Sequence, residues 1–419
     1  MMLMLFTLGV LLYTLGVGIA ALLGNAKAKQ WIQGRRRQMK EHRVRRRAKL
    51  PLPTGDGDWI WFHAASLGEF EQGRPVIEAI KKELPQYRIL LSFFSPSGYE
   101  VRKDYPLADE VLYLPPDTAL NAKKWLQRHH FVAAFFIKYE FWFNYMRALK
   151  KAGVPLFYIS LIFKPDSFFF KPYGYWFRKQ LHSVTHFFVQ DQTTADLLRE
   201  HGFDNCTVCG DTRFDRVATI AQQAKPFPEI ERFIGRRRCI ITGSTWPPDE
   251  KLLEAFYPKL PEDYCLIIAP HDISASHIAQ IQAQFPEAVL YTDLTEGSHS
   301  NVLVINTIGI LSQLYQYARF VYIGGGFGVN IHNIQEPVTF GCPVVFGPKY
   351  TDFKEAVDLV KLQGAFSVNN AAALQAIFNR LMNDESFYAQ ASGTCKAYLA
   401  SQVGATEKIM QGFKQKKEA

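Results

Sequence analysis

Four short segments combine residue types that could do chemistry with positions at the ends of apolar runs. His63-Ala-Ala-Ser66-Leu-Gly68-Glu69 follows one such run and opens an amphipathic stretch. Gly68 and the alanines let backbone approach a ligand closely. Glu69 would stand at a helix N-terminus, where the dipole favours the ionised form. A carboxylate placed there can take a proton from an attacking hydroxyl. The same Ser-x-x-Glu spacing is equally that of a capping box, so both roles stay open. Lys138-Tyr139-Glu140-Phe-Trp142-Phe-Asn144 follows Phe131–Ile137. It puts a second glutamate at a strand's carboxyl end, in ligand territory, with a solvated charge as the plain alternative. Gly210-Asp211-Thr212-Arg213-Phe214-Asp215 offers an arginine that could grip an anion bidentately or pair with a neighbouring aspartate. The fourth segment runs from Phe320–Ile323 through Gly324, Gly325, Gly326 and Gly328 into Asn330-Ile-His332-Asn333-Ile334-Gln335-Glu336-Pro337. Strand, glycine turn and helix start together make an anion site from backbone N–H groups, and Glu336 could take ribose hydroxyls. The loops Ala269-Pro270-His271-Asp272 and Asn306-Thr307-Ile308-Gly309-Ile310 could complete a nucleotide pocket.

Other signatures are missing. There is no G-x-x-x-x-G-K-[ST] loop, and the glycine cluster does not fit G-x-G-x-x-G. The D-x-D at Asp56-Gly57-Asp58 lies in a connector rather than at a strand end, so no metal is expected. Cys206-Thr-Val-Cys209 has no second pair and sits in an apolar run, which predicts buried free thiols.

Elements that could position these segments are legible along the chain. β-rich runs alternate with helical stretches from Trp59–His63 through Thr207–Cys209 and again from Cys239–Thr242 through Ala365–Val368. Such alternation implies parallel sheets covered on both faces. The polar, proline-bearing stretch 221–236 separates two α/β lobes. The expected division is a lobe at 58–220, a linker at 221–236, a lobe at 237–402 and a C-terminal helix with a basic tail at 403–419. Whether that last helix packs back on the first lobe is left open by the sequence.

Residues 2–24 carry no charge, enough to cross a hydrocarbon core of roughly 30 Å. This predicts a membrane anchor at 1–26 and a basic juxtamembrane segment at 27–57. Residues 27–49 hold Lys27, Lys29, Arg35, Arg36, Arg37, Lys40, Arg43, Arg45, Arg46, Arg47 and Lys49 against the single Glu41. That segment's +10 exceeds the whole chain's +9, so the remainder is close to −1. A nearly neutral body argues against a nucleic-acid partner. A basic collar after the apolar stretch argues for a cytoplasmic body on an anionic membrane surface. The aromatic and basic stretch Phe163–Lys179 suits an interface near acyl chains.

The ordered set Ala65-Ser66-Leu-Gly68-Glu69, Tyr113-Leu-Pro-Pro-Asp117, Glu140-Phe-Trp142, Gly210-Asp211, Gly243-Ser244-Thr245, Ala269-Pro270-His271, His332-Asn333-Ile-Gln335-Glu336-Pro337, Gly347-Pro348 and Phe353-Lys-Glu355 resembles the 3-deoxy-D-manno-octulosonic acid (Kdo) transferases of lipopolysaccharide synthesis. The resemblance covers nearly the whole chain. It implies an α/β fold of the GT-B type, with two Rossmann-like lobes facing a central cleft and an N-terminal membrane helix. It also implies an inverting, metal-independent glycosyltransferase of the inner membrane. The donor would be CMP-Kdo, the acceptor lipid IVA, and no further cofactor would be needed. Carried over, Glu69 looks like the general base, Glu140 a second carboxylate at the reacting centre, and Arg213 the counterpart of a charge-steadying lysine. Pro270, His271, Ile308, Gly309, Ile310, Asn333, Ile334, Gln335 and Glu336 match CMP-contacting segments. This chain departs from the family pattern at several places. It reads Pro270-His271-Asp272 for Pro-Arg-His, Ile308-Gly309-Ile310-Leu311 for Met-Gly-Glu-Leu, and Ser244-Thr245-Trp246-Pro-Pro-Asp249 for Ser-Thr-His-x-Gly-Glu. Competing readings are another two-lobed nucleotide-sugar enzyme, such as a 2-epimerase or a lipid N-acetylglucosaminyltransferase, and a membrane-anchored binding protein without catalysis.

Overall fold

Strands that are apolar at nearly every position need cover on both faces, which parallel sheets with crossover helices supply. A computed structural model describes residues 2–47 and 57–418, with side chains 42–47 and 418 excepted. Arg43, Arg45, Arg46, Arg47, Lys49 and Asp56 therefore lie outside the described residues or side chains.

By internal packing the chain divides into two units, Met1–Asp215 with Gly404–Ala419, and Arg216–Val403. The first holds β1 (Asp58–Ala64), β2 (Arg88–Phe93), β3 (Glu110–Tyr113), β4 (His130–Ile137), β5 (Leu156–Leu161), β6 (His186–Val189) and β7 (Cys206–Val208). Their order is β3-β2-β1-β4-β5-β6-β7. The second holds β8 (Arg238–Thr245), β9 (Tyr264–Pro270), β10 (Val289–Leu290), β11 (Val302–Val304), β12 (Ala318–Ile323), β13 (Val344–Phe346) and β14 (Ala365–Ser367), ordered β10-β11-β9-β8-β12-β13-β14. Every pairing is parallel. Strand order reverses between β1 and β4 in one sheet and between β8 and β12 in the other. Ligands of doubly wound folds bind at the carboxyl ends beside such reversals.

Alternation along β1 divides the first core. Trp59 and Trp61 pack on one face with Trp125 and Tyr145, whereas Ile60 and Phe62 pack on the other with Phe70 and Phe135. That second face is completed from the far end of the chain. The helix Ala405–Glu418 inserts Ile409, Met410 and Phe413, with the Phe413 ring 5.1 Å from Phe135 and 5.4 Å from Phe157. Asp215 caps it, accepting from the N–H groups of Gly404 and Thr406 at 2.6 Å each and from the Thr406 hydroxyl. The stretch 221–236 contains a short helix, Pro228–Ile234, whose Ile230 and Phe233 are buried in the second unit.

α1 (Met2–Leu22) is a 21-residue apolar helix, long enough to cross a membrane. α2 (Ala26–Arg47) follows and carries the basic collar. One collar residue is turned away from the surface: Arg35 is buried. Its guanidinium lies 3.6 Å from the Trp31 ring centre and donates to the carbonyls of Phe94 (2.8 Å) and Leu114 (3.2 Å). A buried guanidinium needs such acceptors and ring faces in place of water. Gln38 pins the same helix to edge strand β3, donating to the Tyr113 carbonyl and accepting from its N–H.

Candidate active site

In the first unit the reversal lies between the loops that follow β1 and β4, and these loops carry the two glutamates. β1 ends at Ala64, and α3 (Leu67–Glu83) begins behind Ser66 as N-cap. Glu69 is half-buried, and its Oε2 accepts from the Ser66 N–H (2.8 Å) and the Ser66 hydroxyl (2.9 Å). Glu69 thus closes the capping box while standing at the switch point. Burial raises its carboxyl above the ordinary glutamate range, and the neighbouring Glu140 charge adds to the rise.

Glu140 follows β4, whose exit turns at Lys138 with φ of 64°, a left-handed conformation sparsely used outside glycine. The turn brings Glu140 back over the strand ends, buried. Its Oε2 lies 2.9 Å from His63 Nε2 and accepts from Trp142 Nε1 at 2.6 Å. A carboxylate only accepts, so His63 Nε2 carries the proton in this pairing. Nδ1 then takes the Ser92 hydroxyl at 2.8 Å, while Trp61 Nε1 donates to that oxygen at 2.7 Å. His63 and Ser92 were not among the expected site residues. The one sequence signal was a histidine ending a strand beside the Ser66 motif. Arg213 lies in the helix Thr212–Gln222, and Asp211 holds it: Nε and Nη2 donate to Asp211 Oδ2 at 2.8 and 2.6 Å.

The second unit repeats the arrangement at its own reversal. The loops after β8 and β12 approach so closely that a Cβ on Gly324 would lie 2.4 Å from the Ser244 carbonyl oxygen. Gly325 also adopts φ of 92°, which favours glycine. Buried Asp249 ties the two loops together, accepting from the N–H groups of Trp246 (3.0 Å) and Gly325 (2.9 Å) and from the Tyr322 hydroxyl (2.7 Å). Above them three rings from three strand ends stack. Trp246 and His271 centres are 4.7 Å apart, His271 and His332 4.4 Å, and Trp246 Nε1 donates to His332 Nε2 at 2.9 Å. Burial and the adjacent His271 lower the His332 pKa, which suits a ring that accepts a hydrogen bond.

The remaining expected donor residues divide. Pro270 ends β9, buried, directly before His271. Asn333, next to His332, caps the Gln335 N–H (2.9 Å), and its amide donates to Glu336 (3.2 Å). Glu336 is raised by burial and steadied by the Asn333 bond and the Arg216 charge. The helix expected at Asn333 is only Gln335–Thr339, five residues. Ile334 and Gln335 are buried, and the Gln335 amide turns to Glu355 (3.1 Å) rather than outward. Ile308 and Gly309 are exposed on the loop after β11, a strand away from β8, whereas Ile310 starts a short helix. Among the described residues, no group of three or more His, Cys, Asp or Glu is placed to hold a metal. All six cysteines are free and buried.

Residues 34–216 match the family described as 3-deoxy-D-manno-octulosonic-acid transferase (kdotransferase). Curated relatives of that description extend over most of the chain. The Aquifex aeolicus protein is 26% identical over 334 residues, 77% of this chain and 86% of the relative. The Bordetella pertussis protein is 25% identical over 396 residues, 87% and 89% respectively. Among solved structures, the UDP-GlcNAc 2-epimerase of Neisseria meningitidis bound to UDP-GlcNAc aligns with a TM-score of 0.60 at 14% identity, over 85% of this chain and all of that one. The 2-epimerase of Methanocaldococcus jannaschii gives 0.56 at 14%, over 86% and 99%. At such identities the likeness is one of fold, two Rossmann-like lobes of the GT-B kind.

Proposed function

We propose that this chain, which resembles the Kdo transferases over residues 34–216 and in relatives spanning most of its length, transfers Kdo from CMP-Kdo to lipid IVA, with inversion and without a metal. The observation that carries the reading is the pair Glu69 and Glu140 at the β1/β4 switch point of the lobe that the family match covers. The raised Glu69 carboxyl supports a base role, because a base works best with a pKa nearer the operating pH. Glu69 takes the proton of the acceptor hydroxyl as its oxygen attacks the anomeric carbon. The bond from that carbon to the phosphate oxygen breaks, and CMP leaves with the electron pair. Charge built on the sugar as that bond lengthens is of the oxocarbenium kind met in glycosidases. Glu140, held by His63 and Trp142, faces that developing charge.

CMP is assigned to the second lobe. The Trp246–His271–His332 stack offers aromatic faces to a pyrimidine, and Asn333 and Glu336 offer polar groups to the ribose and phosphate side. Two of the rings, Trp246 and His271, stand where this chain departs from the family pattern, so stacking takes the place of the charged contact that an arginine at 271 would make. Arg213, paired with Asp211, keeps in this reading the charge-steadying role of the family's lysine. The apolar α1 and the exposed collar residues, Lys27, Lys29, Arg36, Arg37 and Lys40, support anchorage on the anionic face of the inner membrane.

Incubation of the membrane-bound chain with CMP-Kdo and lipid IVA, read by mass spectrometry, tests the reading. The acceptor gains the mass of Kdo. An unchanged acceptor refutes it. Thermal protection by CMP and none by UDP separates it from the epimerase and N-acetylglucosaminyltransferase alternatives.

A further inference from the structure

α1 is apolar around its circumference, yet protein covers only one side of it. Phe6 packs edge-on against Phe143 at 4.9 Å, Tyr13 lies 6.1 Å from Phe94, and Asn144 Nδ2 donates to the Thr7 hydroxyl. On the other side Leu5, Leu8, Leu12, Leu15 and Ile19 recur at three- or four-residue spacing and remain exposed. A charge-free stripe of that kind is covered by lipid. The lobe surface that packs on the same turns of α1 therefore stands at the level of the hydrocarbon.

Packing between helix and lobe leaves a groove of about 620 Å³. Gly9, Val10 and Tyr13 wall it from the helix, and Phe94, Trp142 and Phe177 wall it from the lobe. The size is that of a small-molecule site, and the lining is mostly apolar and aromatic. Two features identify the occupant. One wall is the membrane helix itself, so the groove is continuous with the bilayer. The lining also includes Glu140, the carboxylate held by His63 and Trp142. Phe168, exposed and also part of the lining, extends the apolar surface outward.

We infer that this groove takes a fatty acyl chain of the lipid acceptor, drawn from the bilayer along α1 while the sugar headgroup stays at the carboxylates. The inference rests on the transferase reading above and adds a subsite to it. Gly9 provides the test, because a Cβ there meets nothing within 4 Å and a large side chain fills the groove without displacing protein. Gly9→Trp is compared with Leu11→Trp, which places the same ring on the exposed side of the helix. Each is assayed in mixed micelles with the acylated acceptor and with its fully deacylated form. Gly9→Trp is expected to raise KM for the acylated acceptor about tenfold or more, as lost burial of a few methylenes requires. KM for the deacylated acceptor stays where it was, and Leu11→Trp behaves as the unaltered chain. An unchanged KM for the acylated acceptor overturns the assignment. So does an equal rise on both acceptors, the result a purely structural lipid in the groove would give. If the unaltered chain glycosylates neither acceptor, the transferase reading itself falls. Transfer by the unaltered chain with no effect of Gly9→Trp rejects the groove alone.

Discussion

Glu69 serves as a helix cap and is assigned as a base, and two substitutions separate the roles. Glu69→Gln keeps an amide oxygen able to accept from the Ser66 N–H but cannot accept a proton at neutral pH. Glu69→Ala removes both acceptor and base. Loss of the cap costs about 1 kcal/mol, at the modest end for a half-buried group. Loss of general-base catalysis costs about 10²- to 10⁴-fold in rate. Glu69→Gln should therefore unfold in urea close to the unaltered chain and retain CMP binding, while its kcat for acceptor glycosylation falls by at least about a hundredfold. Glu69→Ala should show the same rate loss with a small added loss of stability. The pH profile follows from the causes of the shift. Burial and the Glu140 charge raise the Glu69 carboxyl, and its working form is the carboxylate. Activity then rises with pH along a limb displaced above the ordinary glutamate range, and Glu140→Gln moves that limb down. Turnover by Glu69→Gln within a few-fold of the unaltered enzyme would show that the residue is only a cap.

Three further outcomes follow. Trp246→Ala, at a partly exposed ring, should leave the fold intact and weaken CMP binding by about 1–3 kcal/mol, roughly five- to a hundredfold by calorimetry; an unchanged Kd would remove the stack from the donor site. Asp117, buried where it caps the helix Phe143–Lys151 through the N–H groups of Asn144 and Tyr145, has its carboxyl pushed up to about 7 by burial. The folded state then binds more protons than the unfolded one between about pH 4 and 7. Stability from this group is present at the acid end and lost as pH rises through 7, so thermal midpoints should fall across that window. Asp117→Asn should flatten the slope, and an equally steep slope in the variant would discount Asp117. Phe413→Ala, at a fully buried ring, should cost about 3–5 kcal/mol in urea, whereas Lys414→Ala beside it should change little; equal effects would mean the C-terminal helix is not part of the first core.

The fourteen strands among the described residues are legible as apolar runs, within a few residues at their ends, because most are buried on both faces and cannot hide their composition. The candidate loops are legible for a related reason. In a parallel α/β lobe the residues after each strand are the ones placed for ligands, so Glu69, Glu140, His271 and the glycine turn could be read from position alone. What those residues touch was not legible, since the partners come from distant chain segments. His63 and Glu140 are 77 residues apart, and Trp246 and His332 are 86 apart; each pair meets only because strand order brings β1 beside β4 and β8 beside β12. Arg35 reads as one of eleven collar cations, and only the ring faces and carbonyls of the first lobe turn it inward. The last helix reads as a basic tail. Its Ile409, Met410 and Phe413 had no identifiable destination until Asp215 and the exposed face of the first sheet supplied one. Local composition and periodicity therefore determined the elements and the edge that carries the candidate site. Pairings across the sequence, which depend on which strands become neighbours, were decided by the tertiary structure.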